Sequence, residues 1–276
     1  MPNIFRKKAA QKDLPARGVY PVTENSIRIM SFNLLCEGKG EHHRKYREAI
    51  AAQTIAEYYP DSLGVQEATP AWMDYLKTAL PEYGVVGVGR DDGKNRGEFS
   101  AIFYLKDKYR VTESGTFWLS ATPDTPSQGW DGVCPRICTW AVLENRQTGN
   151  TYAHVNTHLD HRGDEARQKG LDLVLNKAAS FCIPTVCTGD FNLKEQDALY
   201  KQLTGGALRD AKYIAADTMD VSTFHAFDLA NHGEYVIDYI LVNAAVKPLV
   251  YRVLTDNVNG RAVSDHFPIY ADVVLT

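Results

Sequence analysis

At five places in this chain a strand-forming run ends in a tight set of acids, amides and histidines. Ile27-Arg28-Ile29-Met30 leads into Ser31-Phe32-Asn33, and Ser62-Leu63-Gly64-Val65 into Gln66-Glu67. Two more sets are Asn156-Thr157-His158-Leu159-Asp160-His161 and Thr188-Gly189-Asp190-Phe191-Asn192, and the last is Ser264-Asp265-His266-Phe267-Pro268. A sixth run, Val236-Ile237-Asp238-Tyr239-Ile240-Leu241, carries an acid inside apolar text. An Asp so placed is costly to bury unless it is paired or ligates something. Ligands converge at strand ends in α/β folds, so such a series predicts one shared pocket. Asp190 and Asn192 are two apart and project to the same side of extended chain, beside a glycine that permits close backbone approach. Singly, each residue has an ordinary reading. Asn33 and Asn192 suit turns or caps, Glu67 suits a helix start, and His158 suits a satisfied core position. Together they read as a site.

The text between these sets alternates strands and helices. Helices are expected over residues 43–58, stopped by Pro60, and along the stripes Trp72, Tyr75, Leu76, Ala79, Leu80 and Leu171, Val174, Leu175, Ala178. Strands are expected at 83–88, 100–105, 109–118, 185–187, 236–242, 248–254 and 267–275. Residues 137–144 and 151–156 form a hairpin around Gln147-Thr148-Gly149-Asn150. The pattern implies an α/β or α+β sandwich on one core. Residues 1–24, polar and largely basic, read as an extension that drapes over the fold or frays, and 25–276 as one domain.

Thirty Lys+Arg against 34 Asp+Glu leave a net charge of -4 over 276 residues, so no global positive field recruits nucleic acid. No stretch approaches the roughly 20 apolar residues of a membrane span. The first residues lack the apolar run of a secretory signal, and five cysteines do not suggest a disulfide framework. A cytoplasmic protein with no membrane association and no obligatory protein partner is expected.

The candidate ligands are carboxylates and amides without paired Cys/His spacing, which suits Mg²⁺ or Mn²⁺ better than Zn²⁺. Magnesium held by one or two carboxylates and completed by substrate phosphate is a common arrangement for phosphoryl chemistry. Histidines can donate to phosphate oxygens, and an Asp can orient or deprotonate water. The residues therefore point to metal-assisted phosphoester hydrolysis.

In order and combination, Met30-Ser31-Phe32-Asn33-Leu34-Leu35, Val65-Gln66-Glu67, Asn156-Thr157-His158-Leu159-Asp160, Thr188-Gly189-Asp190-Phe191-Asn192, Ile237-Asp238-Tyr239-Ile240 and Ser264-Asp265-His266-Phe267-Pro268-Ile269 resemble the endonuclease/exonuclease/phosphatase superfamily. The resemblance runs from about residue 27 to the end. It implies a four-layered α/β sandwich, two mixed β-sheets face to face with helices outside, and a site at one end. It further implies Glu67 as principal metal ligand with Asn33 and Asp265 near the metal. Asp190 would activate or position water, Asn192 would hold the scissile phosphate, and His266, oriented by Asp238, would contact the phosphate or act as base. His158 matches the histidine that stabilises the pentacovalent state in the deadenylase-like and phosphatase-like branches. The base role stays divided between Asp190 and His266. The segments around His161, Glu165-Ala166-Arg167-Gln168 and Thr223-Phe224-His225 look like compact bacterial single-domain members. Arg90, Glu98, Arg136 and His225 are candidate substrate contacts, and Arg167 reads as a structural ion pair.

Cys134, Cys138, Cys182 and Cys187 read as packing residues instead of a zinc site, His42-His43 as a solvated helix start, and Trp118, Trp130 and Trp140 as core. The leading expectation is a phosphodiesterase or phosphatase acting on a small phosphorylated or nucleotide-like substrate. A phosphorylated small molecule, a dinucleotide or a short nucleic acid such as an RNA end is the expected substrate, and an endo- or exonuclease acting on RNA or DNA is the alternative. A catalytically inactive binding protein on the same fold is the rival of another class.

Overall fold

Strands β1 (Ile27–Asn33) and β2 (Ser62–Gln66) run parallel, because α1 (Glu48–Tyr58) carries the chain back between them. The same unit recurs later. Strands β7 (Thr151–His158) and β8 (Thr185–Asp190) are parallel and joined through α3 (Asp164–Ala179). The computed structural model describes residues 17–230, 235–256 and 261–276. Around the first pair, β3 (Tyr83–Val86), β4 (Ile102–Leu105), β11 (Val246–Val253) and β12 (Ile269–Leu275) complete a mixed six-stranded sheet in the order β11-β12-β1-β2-β4-β3. Around the second, β5 (Tyr109–Trp118), β6 (Ile137–Asn145), β9 (Arg209–Asp210) and β10 (Asp238–Val242) give the order β5-β6-β7-β8-β10-β9. Every pairing other than the two parallel ones is antiparallel. This is the expected α/β sandwich of two mixed sheets.

Strands β8 and β10 are buried along their whole length, and their successive side chains alternate between two cores. Val186 and Ile240 belong to a core shared with the first sheet, α1 and α2 (Pro70–Ala79). Their neighbours Cys187 and Leu241 pack instead with Leu171, Val174 and Ala178 of α3 and Leu203 of α4 (Ala198–Thr204). Cys138 and Cys187 are therefore buried packing residues, and all five cysteines are free. Trp118 is buried in the described core, whereas Trp130 and Trp140 are half-buried under Lys169 and Lys177. The first helix begins at Glu48 instead of 43, because residues 40–46 are two tight 3-10 turns, with His43 Nδ1 accepting from Lys45 N–H. Two short helices, α4 and α5 (Ala211–Ile214), were not expected from the pattern. Of the first 24 residues, 1–16 lie outside the described ones. Residues 17–24 lie against the domain, where Arg28 Nη1 and Nη2 donate to Tyr20 and Pro21 carbonyls and Thr23 donates to Asp272.

A polar seam joins the two sheets. His154 places Nδ1 2.8 Å from Ser62 Oγ and Nε2 2.8 Å from Thr188 Oγ1. Gln66 donates to Asn156 Oδ1 at 2.7 Å, and Asn156 Nδ2 donates to the carbonyls of Val65 and Ala101. Gly64 faces this seam, and a Cβ there would lie 2.2 Å from Thr188 Oγ1. Burial pushes His154 down to about 3, so it is neutral in the folded protein. Above its ordinary pKa of 6.5 the ring is neutral folded or unfolded. As pH falls from 6.5 toward 3, only the unfolded chain takes the proton, and stability drops by roughly 1 kcal/mol per pH unit. Urea unfolding at pH 7, 5 and 4 should show that decline flattened in His154→Gln; identical pH slopes would contradict it.

Candidate active site

The topology explains why the polar strand ends meet. Asn33 and His158 end β1 and β7, Asp190 ends β8, and Glu67 follows β2, all at carboxyl ends of the two parallel pairs. Asp238 opens β10, which is antiparallel to β8 and pairs Asp238 with Asp190. Asp265 and His266 precede β12, antiparallel to β1, and so arrive at the same edge. Two crossover units facing each other thus pool their strand ends.

Asp190 is the centre of the arrangement. Its Oδ2 accepts from Asn33 Nδ2 at 2.9 Å and lies 3.4 Å from His158 Nε2 and 3.7 Å from His266 Nε2. Its Oδ1 accepts from Asn192 N–H at 2.9 Å. Asn192 Nδ2 is 3.0 Å from His158 Nε2, and His266 Nδ1 is 2.8 Å from Asp238 Oδ2. Glu67 accepts from Asn33 Nδ2 at 3.2 Å and from Cys36 N–H at 3.0 Å. Glu67 and Asn192 hold left-handed backbone, φ 56° and 48°, a strain tolerated where surroundings over-determine it.

One ligand atom from each of Glu67, His158 and Asp190 lies within 4.8 Å of the other two, and so does one from each of Asp190, Asp238 and His266. Asp265 belongs to neither group; its Oδ1 accepts from Ser264 Oγ at 3.2 Å and stands 4.0 Å from His266 Nε2. Asn33 turns its amide oxygen to Leu35 N–H, so it serves the carboxylates as a donor. Burial raises Asp190, against the opposing pull of His266. Burial works against charge on His266, but Asp238 and then Asp190 and Asp265 outweigh it and lift the ring to about 10. Burial and the positive Arg136 and Arg90 hold His158 well below its ordinary range.

Arg90, Glu98 and Arg136 line one cleft with Glu67 and His158. Arg90 grips Glu98 through both carboxylate oxygens, at 2.8 and 3.0 Å, and Arg136 Nη2 is 2.9 Å from His161 Nδ1. His225 lies elsewhere: it is buried, packs on Phe267, accepts from Phe227 N–H and donates its backbone N–H to Asp265 O. Arg167 donates to the Asp160 carbonyl and pairs with Asp164, in keeping with a structural role.

The sequence reading passed over Arg47. Its buried guanidinium donates to the carbonyls of Leu34, Leu35, Cys36, His42 and Val263, joining the loop after β1 to the loop before β12. Trp72, read as a packing residue, also donates its indole N–H to Leu35 and Cys36 carbonyls. Only the Gly-bearing Cys36-Glu37-Gly38-Lys39-Gly40 stretch hinted at a loop that needs such anchoring.

Residues 30–266 match the endonuclease/exonuclease/phosphatase family. The chain belongs to that family. Family members hydrolyse phosphoester bonds and generally depend on a divalent metal. An endonuclease/exonuclease/phosphatase from Bacteroides vulgatus is 37% identical, covers 91% of this chain and 99% of its own, and superposes with a TM-score of 0.86. A mannosyl-6-phosphatase from Bacteroides thetaiotaomicron is 36% identical over 91% of this chain and 100% of its own, with a TM-score of 0.85. TDP2 from D. rerio, complexed with a single-strand DNA product, is 20% identical over 91% of this chain and 99% of its own, with a TM-score of 0.74; that likeness shows the fold alone. No curated protein matches the chain. Among the described residues no helix is long and apolar enough to cross a membrane.

Proposed function

We propose that the protein is a divalent-metal-dependent phosphatase acting on a small phosphorylated substrate, with a sugar phosphate as the leading class. The observation that carries the reading is Asp190, fixed by Asn33 and Asn192 and faced by two histidines, beside Glu67. The sugar class rests on likeness to the mannosyl-6-phosphatase.

The residues fit a hard cation. Burial raises Asp265, His266 pulls it down and the negative Glu67 raises it again, while Glu67 accepts from Asn33 Nδ2 and Cys36 N–H with no cationic side chain bonded to it among the described residues. Carboxylate oxygens suit Mg²⁺ or Mn²⁺. Glu67 and Asp265 would hold the ion, with Asn33 bracing Glu67. When bound, it supplies charge neutralisation at the phosphate and lowers the pKa of water. His266, with a carboxylate beyond each ring nitrogen, is kept as a donor to the phosphate. Asn192 and His158 donate to the oxygens that gain charge in the transition state. Asp190 orients the attacking water and takes its proton.

The test is a mixed panel of mannose 6-phosphate, a chromogenic phosphodiester, dinucleotides, single-stranded RNA and duplex DNA, each with Mg²⁺, Mn²⁺ or chelator. Fastest turnover is expected on the phosphomonoester and none with chelator. Nucleic acid as the fastest substrate, or turnover that survives chelation, would overturn the reading.

A further inference from the structure

The residues given roles in the hydrolysis account for the phosphate and assign none to the alcohol half of a substrate. Beside them lies a second pocket, of about 200 Å³, lined by Glu41, His42, Arg47, Phe227, Leu229 and Arg261 among others. Its walls are the loops that carry the site. His225 and Ala226 donate their backbone N–H groups to the Asp265 carbonyl, and Arg47 spans from Val263 to Leu34, Leu35 and Cys36. The pocket therefore adjoins the loop that carries Asp265.

Its chemistry is mixed in an informative way. His42 and Phe227 are half-buried and stacked, ring centroids 3.7 Å apart and 15° from parallel. Ala226 and Phe227 both hold left-handed backbone, φ 48° and 68°, with Phe227 N–H on His225 Nδ1. Consecutive non-glycine residues in that region cost energy and persist where the surroundings fix an aromatic in place. Arg47 spends its donors on carbonyls, whereas Glu41, 3.8 Å from His42 Nε2, and Arg261, 5.5 Å over the Tyr46 ring, are exposed and bring the pocket its other charged groups. The volume is below the roughly 300–1,000 Å³ of drug-sized sites, so it suits one ring and not a dinucleotide.

We infer that this pocket binds the sugar ring of the substrate, with the outer face of the stacked His42–Phe227 pair against its C–H face and Glu41 and Arg261 on its hydroxyls. The inference rests on the phosphatase reading and adds the group that selects the alcohol. Phe227→Leu and Glu41→Gln, assayed with saturating Mg²⁺, test it; the second lies on the surface and leaves the core untouched. The quantity read is the ratio of kcat/KM for mannose 6-phosphate to that for ethyl phosphate, with adenosine 5′-monophosphate as a third substrate. Each variant is expected to lower the ratio roughly 10-fold, through KM for the sugar phosphate. An unchanged ratio in both variants overturns the inference and leaves the phosphatase reading standing. A loss confined to the nucleotide overturns the choice of a sugar. Wild-type protein that turns over no phosphomonoester overturns the reading beneath, and the inference with it.

Discussion

His266→Ala lowers kcat by at least ~100-fold with a smaller change in KM, because the lost donor acts mainly where charge develops on the phosphate. The effect is large because the imidazole is positioned from both sides, Asp238 at 2.8 Å on Nδ1 and Asp190 at 3.7 Å from Nε2. Removing the ring also leaves those two buried acids without their neighbour, so the alanine variant loses stability as well as rate. His266→Gln separates the two effects. It retains a neutral donor and restores much of the stability, while the rate stays low because the charge of the imidazolium is gone. Steady-state kinetics beside urea unfolding checks both variants; alanine activity above a tenth of wild type would remove His266 from the reaction.

Arg47→Ala is expected to cost about 3–5 kcal/mol of stability, since five carbonyls lose a buried guanidinium together. The milder Arg47→Lys is the more telling variant. An ammonium lacks the planar fork and cannot serve all of these acceptors at once. It should fold yet raise the Mn²⁺ concentration for half-maximal activity by roughly 10–100-fold, the scale on which outer partners of metal ligands act. Arg47 touches neither acid; it works by holding Cys36, whose N–H braces Glu67, and Val263, which leads to Asp265. A metal titration indistinguishable from wild type in Arg47→Lys would reduce the residue to packing.

How much of this was legible beforehand varies with the range of the interaction. Strands such as β5, β6 and β12, and the helices around Trp72 and Leu171, follow from apolar spacing, which depends on neighbours in sequence. The helix start at Glu48 was missed because the local pattern through His43 is helical, whereas the glycines at 38 and 40, both with positive φ, and the Arg47 anchor impose tight turns. Short α4 and α5 carry too few residues for a periodic signal.

The candidate site divides the same way. Asn33, Glu67, His158, Asp190, Asn192, Asp238, Asp265 and His266 stood out because a polar residue at the end of an apolar strand is anomalous in its own neighbourhood. His225 stood out by the same proximity to a motif, yet its ring lies on Phe267 and its backbone supports Asp265. Arg47 and His154 gave no local signal. Arg47 reads as one more charge before a helix, and His154 as one polar residue in an alternating strand.

By itself the sequence determined which strand ends bear chemistry, the residue types there, and hence the family. Tertiary structure alone decided that two parallel crossover units face each other so that those ends pool at one edge. It also decided that Arg47 ties the two loops, that a polar seam of Ser62, His154, Asn156 and Thr188 lies between the sheets, and that a stacked His42–Phe227 pair adjoins the site. The reason is physical. Strand and helix periods are set by residues a few positions apart, whereas these contacts join residues 11 to 216 positions apart, and their partners are chosen by how the sheets pack.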